Sequence, residues 1–327
     1  MTEPQVGRAL VLGATGFVGT HVCTALVASG YEVLGVARGR PAREFPFTFL
    51  ELDVSSAAVS TIGGVVDTFE PDLVVNTIGS IWGRSDDQMW SAAVQPVEAL
   101  LAGLRNADHR PWLVHLGSVL EYGTIGVGET ASARRDAARP TSAYGEAKLA
   151  ATESILDAVA EGHIDAVVLR IANVSGPGAP NISLLGQVAR QLADAEVSGV
   201  PATITLDALT AQRDYVDARD VADAVVAAAR VRVPGTVLDI GRGEAVGVRD
   251  MVRILLDISG VDAELAEREP VTTAGSPRWT QVDIGPAREH LGWVPTRSIH
   301  RSIEDFWLDT LANTERPHTQ AGHPTRT

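Results

Sequence analysis

Short apolar runs alternate with amphipathic stretches along the first half of the chain. The first run, residues 8–13, is almost wholly apolar and ends in glycine, which is typical of a strand buried on both faces of a sheet. Similar runs predict further strands at 32–37, 47–52, 72–77, 112–116 and 166–171. The stretches between them predict helices at 21–29, 56–69, 86–105 and 143–160. This alternation predicts an α/β fold with a doubly wound parallel sheet.

The alternation becomes less regular after Asn173. The cluster Gly176-Pro-Gly-Ala-Pro180 interrupts regular structure, and shorter strands and helices follow it. A helix predicted at 216–231 and a strand predicted at 236–240 would return to the main sheet. We therefore predict a smaller mixed α/β lobe that binds the substrate. The predicted units are residues 1–173 for the main domain, joined by 213–241, and mainly 174–327 for the lobe, with 313–327 as a polar, disordered tail.

The composition narrows the classes of function. The 327 residues carry a net charge of −14, and such an acidic chain has no general attraction for nucleic acid or anionic membranes. The one cysteine, Cys23, cannot form an internal disulfide or a cysteine-rich metal site, and we expect no metal. No apolar run approaches the roughly 20 residues that span a bilayer, and residues 1–8 lack a signal pattern. We expect a cytoplasmic protein.

A glycine-rich turn links the first predicted strand to the first predicted helix. The first glycine permits a tight turn, the second lets a phosphate approach the backbone, and the third lets the helix pack closely on the strand. The helix N-terminus adds free N–H groups and a positive dipole end. A purely structural turn is the alternative, but the position between strand and helix favours dinucleotide binding. The residues predicted to bind it are Gly13, Thr15, Gly16, Phe17, Val18 and Gly19.

A second motif combines Tyr144 and Lys148, which lie four positions apart in the predicted helix 143–160 and therefore share one face. A free tyrosine has a pKa near 10, and a neighbouring ammonium lowers it by favouring the phenolate. Ser118 follows the strand 112–116, at the end where doubly wound sheets bind ligands. Its hydroxyl can hydrogen-bond a reacting carbonyl or alcohol oxygen. The tyrosine–lysine spacing alone also fits an ordinary helix pair.

Together these motifs resemble the extended short-chain dehydrogenase/reductases, also called the NAD-dependent epimerase/dehydratase family. The resemblance runs from about residue 8 to residue 310 and includes Leu291-Gly-Trp-x-Pro295. It implies a Rossmann fold for the main domain and a catalytic group of Ser118, Tyr144 and Lys148. In such enzymes the tyrosine exchanges a proton, the lysine also holds the nicotinamide ribose, and the serine orients the substrate. The resemblance also implies a homodimer that pairs helices 88–105 and 143–160 of each chain.

The end of the second predicted strand bears on the cofactor. The resemblance places an aspartate where this chain has Ala37, and Arg38 follows directly. An acidic residue there would bind a ribose 2′-hydroxyl and repel a 2′-phosphate, whereas a guanidinium binds that phosphate. We therefore predict NADP(H) in preference to NAD(H), with a solvated loop at Arg38, Arg40 and Arg43 as the alternative. By resemblance, the cofactor also contacts Asp53, Val54, Ile78 and Gly79. Asp53 fits equally well as a cap for a helix at 55–69.

The resemblance also assigns contacts to a nucleotide-sugar substrate. It places Asn173, Arg213 and Arg278 near the phosphate groups of that substrate. Ser80 and Trp82 follow the fourth predicted strand, and their position alone places them near the sugar ring. Ser118 would contact the substrate as well as take part in the reaction.

The residues after Ser118 bear on the type of reaction. Dehydratases of the family carry an acid/base pair there, whereas Val119 and Leu120 cannot transfer a proton. The chain looks most like the nucleoside-diphospho-4-keto-6-deoxyhexose 4-ketoreductases of deoxysugar pathways in antibiotic biosynthesis. We therefore predict reduction of a dTDP-4-keto-6-deoxyhexose, with hydride to C4 and a proton from Tyr144. The alternatives are a sugar-nucleotide 4-epimerase, a reductase of a non-sugar carbonyl and a non-catalytic NADP-binding regulator.

Overall fold

Parallel strands form one seven-stranded sheet in the described part of the chain. The computed structural model describes residues 7–39, 45–79, 83, 85–131, 138–269 and 279–314. The strands of the sheet are β1 (Gly7–Leu12), β2 (Tyr31–Ala37), β3 (Thr48–Glu51), β4 (Leu73–Asn76), β5 (Trp112–Ser118), β6 (Asp165–Ile171) and β10 (Val237–Ile240). Their order is β10-β6-β5-β4-β1-β2-β3. The order reverses between β1 and β4, and such a reversal opens a ligand crevice at the carboxyl ends of the strands.

Helices cover both faces of this sheet, which explains why its strands are continuous apolar runs. The described helices are α1 (Phe17–Ala28), α2 (Val59–Phe69), α3 (Asp86–Asn106), α4 (Ala143–Ala160), α5 (Leu184–Ser198), α6 (Ala218–Arg230), α7 (Val248–Ser259), α8 (Gly285–Leu291) and α9 (Ile299–Thr314), of which α5, α7 and α9 lie away from this sheet. Alternate strand residues face opposite sides. In β1, Ala9 and Val11 join the core under α1 and α6, whereas Leu10 and Leu12 join the core under α2, α3 and α4. The predicted doubly wound α/β fold is confirmed.

Local caps decide where the helices begin. Helix α3 begins at Asp86, as predicted, because the Ser85 hydroxyl accepts the Gln88 N–H at 3.4 Å and the Gln88 side chain accepts the Ser85 N–H at 3.1 Å. The predicted start of the helix at 216 is wrong. Val216 and Asp217 still belong to a strand, and the Asp217 carboxylate caps α6 by accepting the Arg219 N–H at 2.8 Å.

The remaining strands form smaller sheets, and helices α5, α7 and α9 share one apolar core with most of them. These strands are β7 (Asn173–Ser175), β8 (Ala202–Leu206), β9 (Gln212–Asp217), β11 (Ala245–Gly247), β12 (Ala263–Glu267) and β13 (Trp279–Thr280). Strand β9 pairs with β7, β11 and β13, while β8 pairs with β12. Segment 213–241 therefore contributes β9 to a small sheet and β10 to the main sheet. The domain boundaries stay predictions.

The described ranges contain neither a membrane span nor a metal centre. None of their helices combines the length and apolar character needed to cross a bilayer. Within the same ranges, no three side chains of His, Cys, Asp or Glu come together in a way that could hold a metal ion. Asn313 and Thr314 end helix α9, and residues 315–327 of the predicted tail lie outside the described residues.

Candidate active site

Glycines shape the turn between β1 and α1. Gly13 has a φ of 82°, in the left-handed region that favours glycine, and a Cβ there would lie 2.7 Å from Thr77 Oγ1. A Cβ on Gly19 would collide with the Gly13 carbonyl oxygen, so α1 packs this close to β1 only with glycine. Gly16 is the N-cap of α1 and gives no side-chain hydrogen bond, which leaves the first N–H groups of the helix uncapped. The turn residues that line a large cleft are Gly16, Phe17, Val18 and Gly19.

This turn fits the pyrophosphate of a dinucleotide, because uncapped N–H groups and the positive end of a helix dipole attract phosphate. Ile78 and Gly79, just after β4, line the same cleft. A Cβ on Gly79 would lie 3.5 Å from Lys148 Nζ and 3.6 Å from Tyr144 Oη. Gly79 therefore adjoins both side chains in the lining of the cleft.

Asp53 and Val54 follow β3. Val54 is buried in the sheet core, and the Asp53 carboxylate accepts the Ser55 N–H at 3.1 Å and the Ser55 hydroxyl at 2.6 Å. Helix α2 begins later, with Ala58 as its N-cap, so the alternative in which Asp53 caps this helix is wrong. Thr15 is exposed within the glycine turn.

Ser118, Tyr144 and Lys148 lie together in the lining of the cleft. Ser118 ends β5, and the other two lie in the first turns of α4. Lys148 Nζ donates a hydrogen bond to the Leu116 carbonyl oxygen at 2.5 Å, which ties this side chain to β5. Ser118 Oγ accepts the Leu120 N–H at 3.2 Å. Since that bond uses an acceptor position of the hydroxyl, the hydroxyl hydrogen is available for donation to a ligand.

Burial changes the proton affinities of Tyr144 and Lys148 in opposite directions, because it disfavours the charged form of each. Burial, reinforced by the charge of Glu121, raises the pKa of Tyr144 to about 12, so the prediction that Lys148 lowers this pKa is wrong: desolvation of the phenolate outweighs the ammonium. Burial lowers the pKa of Lys148 to about 8, although Glu121 opposes this decrease. At neutral pH the site therefore offers a protonated phenol and a mostly charged ammonium. With the Ser118 hydroxyl, this arrangement can protonate an oxygen that gains negative charge.

A family model for the NAD dependent epimerase/dehydratase family matches residues 9–241. The chain belongs to this family. The prediction from the glycine turn, Ser118, Tyr144 and Lys148 that it is an extended short-chain dehydrogenase/reductase is thereby confirmed. It is an NAD(P)-dependent enzyme of the oxidoreductase type, as the sequence predicts.

Relatives match this epimerase/dehydratase-family enzyme over nearly its whole length. A dTDP-6-deoxy-L-talose 4-dehydrogenase (NAD(P)(+)) of Kitasatospora kifunensis is 40% identical over 310 residues, which cover 94% of this chain and 97% of the relative. A UDP-glucose 4-epimerase of Azospirillum brasilense is 29% identical, over 97% of this chain and 95% of the relative. The solved structure of MoeE5 in complex with UDP-glucuronic acid and NAD is 26% identical, with a TM-score of 0.81, and covers 94% of this chain and 100% of MoeE5.

The cleft of this family member continues from Ser118 into the second lobe and has a volume of about 1310 Å³. Arg213 lines the cleft, and its guanidinium has no hydrogen-bond or ion-pair partner among the described residues. Asn173 lines it too, but its Nδ2 already donates to the Asp214 carbonyl oxygen at 3.1 Å and to Thr280 Oγ1 at 3.5 Å. Other lining residues of this lobe include Ser183, Leu184, Leu185, Thr210, Tyr215 and Phe306. The predicted substrate residues Ser80, Trp82 and Arg278 lie outside the described residues.

Sequence reasoning missed a buried group of charged and polar side chains behind Ser118. Glu121 and Arg170 form an ion pair, with 2.6 Å between Oε2 and Nε, and both side chains are fully buried. Tyr122 Oη donates to the Asp239 carboxylate at 2.8 Å, and burial raises the pKa of Asp239 to about 7. The sequence did contain a signal for this group, since a glutamate and an arginine stand within otherwise apolar segments. A charge in a buried segment needs a partner of opposite charge, so the two could have been predicted to pair.

Proposed function

We propose that the chain is an NADPH-dependent 4-ketoreductase that reduces the C4 carbonyl of a dTDP-4-keto-6-deoxyhexose. The observation that carries this proposal is the set of side chains that line the cleft. Ser118 and Tyr144 supply hydroxyl groups, whereas the neighbouring Val119 and Leu120 are apolar. Dehydration needs a further acid/base group at those positions. The relative of 40% identity supports the substrate class, because oxidation at C4 of a dTDP-6-deoxyhexose is the reverse of C4 reduction.

The side chains of the site handle the oxygen of the carbonyl group. When bound, the nicotinamide supplies the hydride that goes to C4. Ser118 Oγ and Tyr144 Oη donate hydrogen bonds to the C4 oxygen and stabilise the negative charge that develops there. Tyr144 then transfers its phenolic proton to this oxygen, which completes the alcohol. The Lys148 ammonium stabilises the phenolate that remains.

The second lobe is proposed to bind the diphosphate and other groups of the substrate. Arg213, with a guanidinium unpaired in the described structure, is the proposed ligand of the diphosphate, aided by Arg278. Because Asn173 Nδ2 donates to both Asp214 and Thr280, its amide oxygen is the atom left for the substrate, and it would accept from a hydroxyl of the substrate rather than bind a phosphate. Ser80 and Trp82 are proposed to lie near the hexose. We also propose a homodimer formed through α3 and α4 and a location in the cytoplasm.

The proposal predicts that Ala37→Asp shifts the cofactor preference from NADPH towards NADH. Ala37 ends β2, and Arg38, which follows it, is exposed. Arg40 and Arg43 lie outside the described residues. A carboxylate at 37 would repel a ribose 2′-phosphate, so we expect the KM for NADPH to rise about tenfold or more. Ala37→Asn is the matched neutral control. An equal rise of the KM for NADPH in both variants would contradict a cofactor preference that depends on charge.

The test of the proposed function is NADPH consumption, followed by absorbance, with enzymatically prepared dTDP-4-keto-6-deoxyglucose and its 2,6-dideoxy analogue. Stoichiometric oxidation with formation of a C4 alcohol, identified by NMR of the product, supports the ketoreductase. No oxidation with either sugar, although NADPH binds, contradicts it and favours a non-sugar carbonyl substrate or a regulatory role.

A 4-epimerase is the second candidate, because a UDP-glucose 4-epimerase matches 97% of the chain. An epimerase uses the same hydride transfer twice, first out of C4 and then back to it. Interconversion of UDP-glucose and UDP-galactose without net cofactor consumption would favour this candidate. Its absence, together with NADPH oxidation by the keto sugar, would exclude it.

A further inference from the structure

We propose that Glu121 is a positioning residue for the reaction, with its buried carboxylate fixing the backbone of Ser118 and placing a negative charge beside Tyr144 and Lys148. The proposal deepens the proposed function and rests on it for its kinetic test. It concerns a residue that touches neither substrate nor cofactor and acts through the side chains that do.

The first observation is the way in which the Glu121 carboxylate is held. Oε1 accepts the Ser118 N–H at 2.7 Å and the Thr152 hydroxyl at 3.2 Å, while Oε2 accepts the Arg170 Nε–H at 2.6 Å. These donors come from the end of β5, from α4 and from β6. A single side chain therefore ties together the strand that carries Ser118, the helix that carries Tyr144 and Lys148, and a third element of the sheet.

The second observation is that the fold leaves room for this carboxylate. A Cβ on Gly117 would lie 2.6 Å from Glu121 Oε1, so any other residue at 117 would displace it. Glu121 also closes a reciprocal cap with Ser118, in which the Ser118 oxygen accepts the Leu120 N–H. The same cap that receives Glu121 thus fixes the Ser118 oxygen as an acceptor from the backbone and leaves its hydrogen for a ligand. Loss of the carboxylate would release one half of this cap.

The third observation concerns the charges around Glu121. Arg170 from β6 pairs with it, and Asp239 from β10, itself close to Asp283, adds a second acidic group behind the site. On the other side, Tyr144 and Lys148 of α4 respond to its charge, and His115 of β5 lies close to Lys148. A negative charge at this place opposes ionisation of the phenol and favours the charged ammonium. Both effects keep the site in the protonated state that donates a proton to a carbonyl oxygen.

The test compares Glu121→Gln with Asp220→Asn. Asp220 is an equally buried carboxylate, paired with Arg297, so its substitution controls for loss of a buried ion pair elsewhere. Removal of the charge at 121 is expected to lower the pKa of Tyr144 and that of Lys148 by about one unit each. For oxidation of the C4 alcohol with NADP⁺, the acidic limb of the kcat/KM profile should therefore move about one pH unit lower in Glu121→Gln. It should stay in place in Asp220→Asn.

A measurement on the protein alone keeps this inference separate from the proposed function. Tyrosine labelled with ¹³C at Cζ gives one signal for each of the four tyrosines, and Tyr144→Phe identifies the signal of Tyr144. A shift of one unit predicts an approximately fivefold larger ionised fraction of Tyr144 at pH 11 in Glu121→Gln, with circular dichroism verifying the fold. If this shift occurs but no keto sugar is reduced, the inference stands and the proposed function fails. An unchanged Tyr144 signal overturns the inference.

Thr152→Val is a second variant, in case Glu121→Gln does not fold. It removes a donor to Oε1 but keeps the carboxylate and its ion pair, so the negative charge acts more strongly on Tyr144. The acidic limb should then move to higher pH, opposite to the shift expected for Glu121→Gln. A shift in the same direction, or none, would overturn the inference.

Discussion

Tyr144→Phe is expected to lower the rate of keto-sugar reduction by about 10²–10⁴-fold, the usual contribution of a positioned general acid. Phenylalanine keeps the ring but removes the only group in this proposal that gives a proton to the C4 oxygen. The glycine turn is untouched, so binding of NADPH should change little. Single-turnover oxidation of NADPH measures the rate of reduction, and a fluorescence titration measures the affinity for NADPH.

Tyr31→Phe is the matched control for this prediction. Tyr31 begins β2 and is partly buried against the core, but it does not line the cleft. This variant should reduce the keto sugar at the rate of the unmodified protein. A Tyr144→Phe variant that keeps more than about a tenth of the rate would show that the proton comes from another donor.

Arg170→Met should lower the free energy of unfolding by about 3–5 kcal/mol, because it leaves the Glu121 carboxylate buried without its charged partner. Both side chains are fully buried, so water cannot replace the lost interaction. The Arg170 guanidinium also lies 4.8 Å from the centre of the Tyr122 ring, and that contact is lost too. Urea denaturation followed by circular dichroism measures the change.

The double variant Glu121→Leu/Arg170→Met separates a broken ion pair from a general defect of packing. Replacing both charges with apolar side chains removes the desolvation cost as well as the attraction, so much of the lost stability should return. Equal or greater destabilisation of the double variant would mean that packing, rather than an unpaired charge, accounts for the loss in Arg170→Met.

The sequence was sufficient to predict the main sheet and the close packing at the glycine-rich turn, because both depend on local patterns. The run at residues 8–13 is apolar on both faces, and the structure buries both faces of β1. The glycine spacing predicts a close approach of α1 to β1, which the position of Gly19 against the Gly13 carbonyl oxygen confirms. Periodicity and steric limits operate within a few residues, so one sequence suffices to detect them.

Contacts between distant segments could not be predicted in this way. Glu121 and Arg170 are 49 positions apart, and only the pairing of β5 with β6 brings them together. The start of α6 was missed because the backbone pairing of β9 with β7 continues through Asp217. This pairing between distant segments outweighs the helical pattern of the local sequence. Similarly, the engagement of Asn173 Nδ2 depends on a strand 41 positions away.

The cleft draws its two halves from different parts of the chain. The half with Ser118, Tyr144 and Lys148 is built on β5 and α4, whereas the half with Leu184, Tyr215 and Phe306 is built on α5, β9 and α9. In the proposed function the second half binds the nucleoside diphosphate, so its recognition can diverge by substitutions that leave the proposed proton donor in place. For protein engineering, this makes the second lobe the region to randomise when a different nucleoside diphosphate is wanted, and β5 and α4 the region to hold constant.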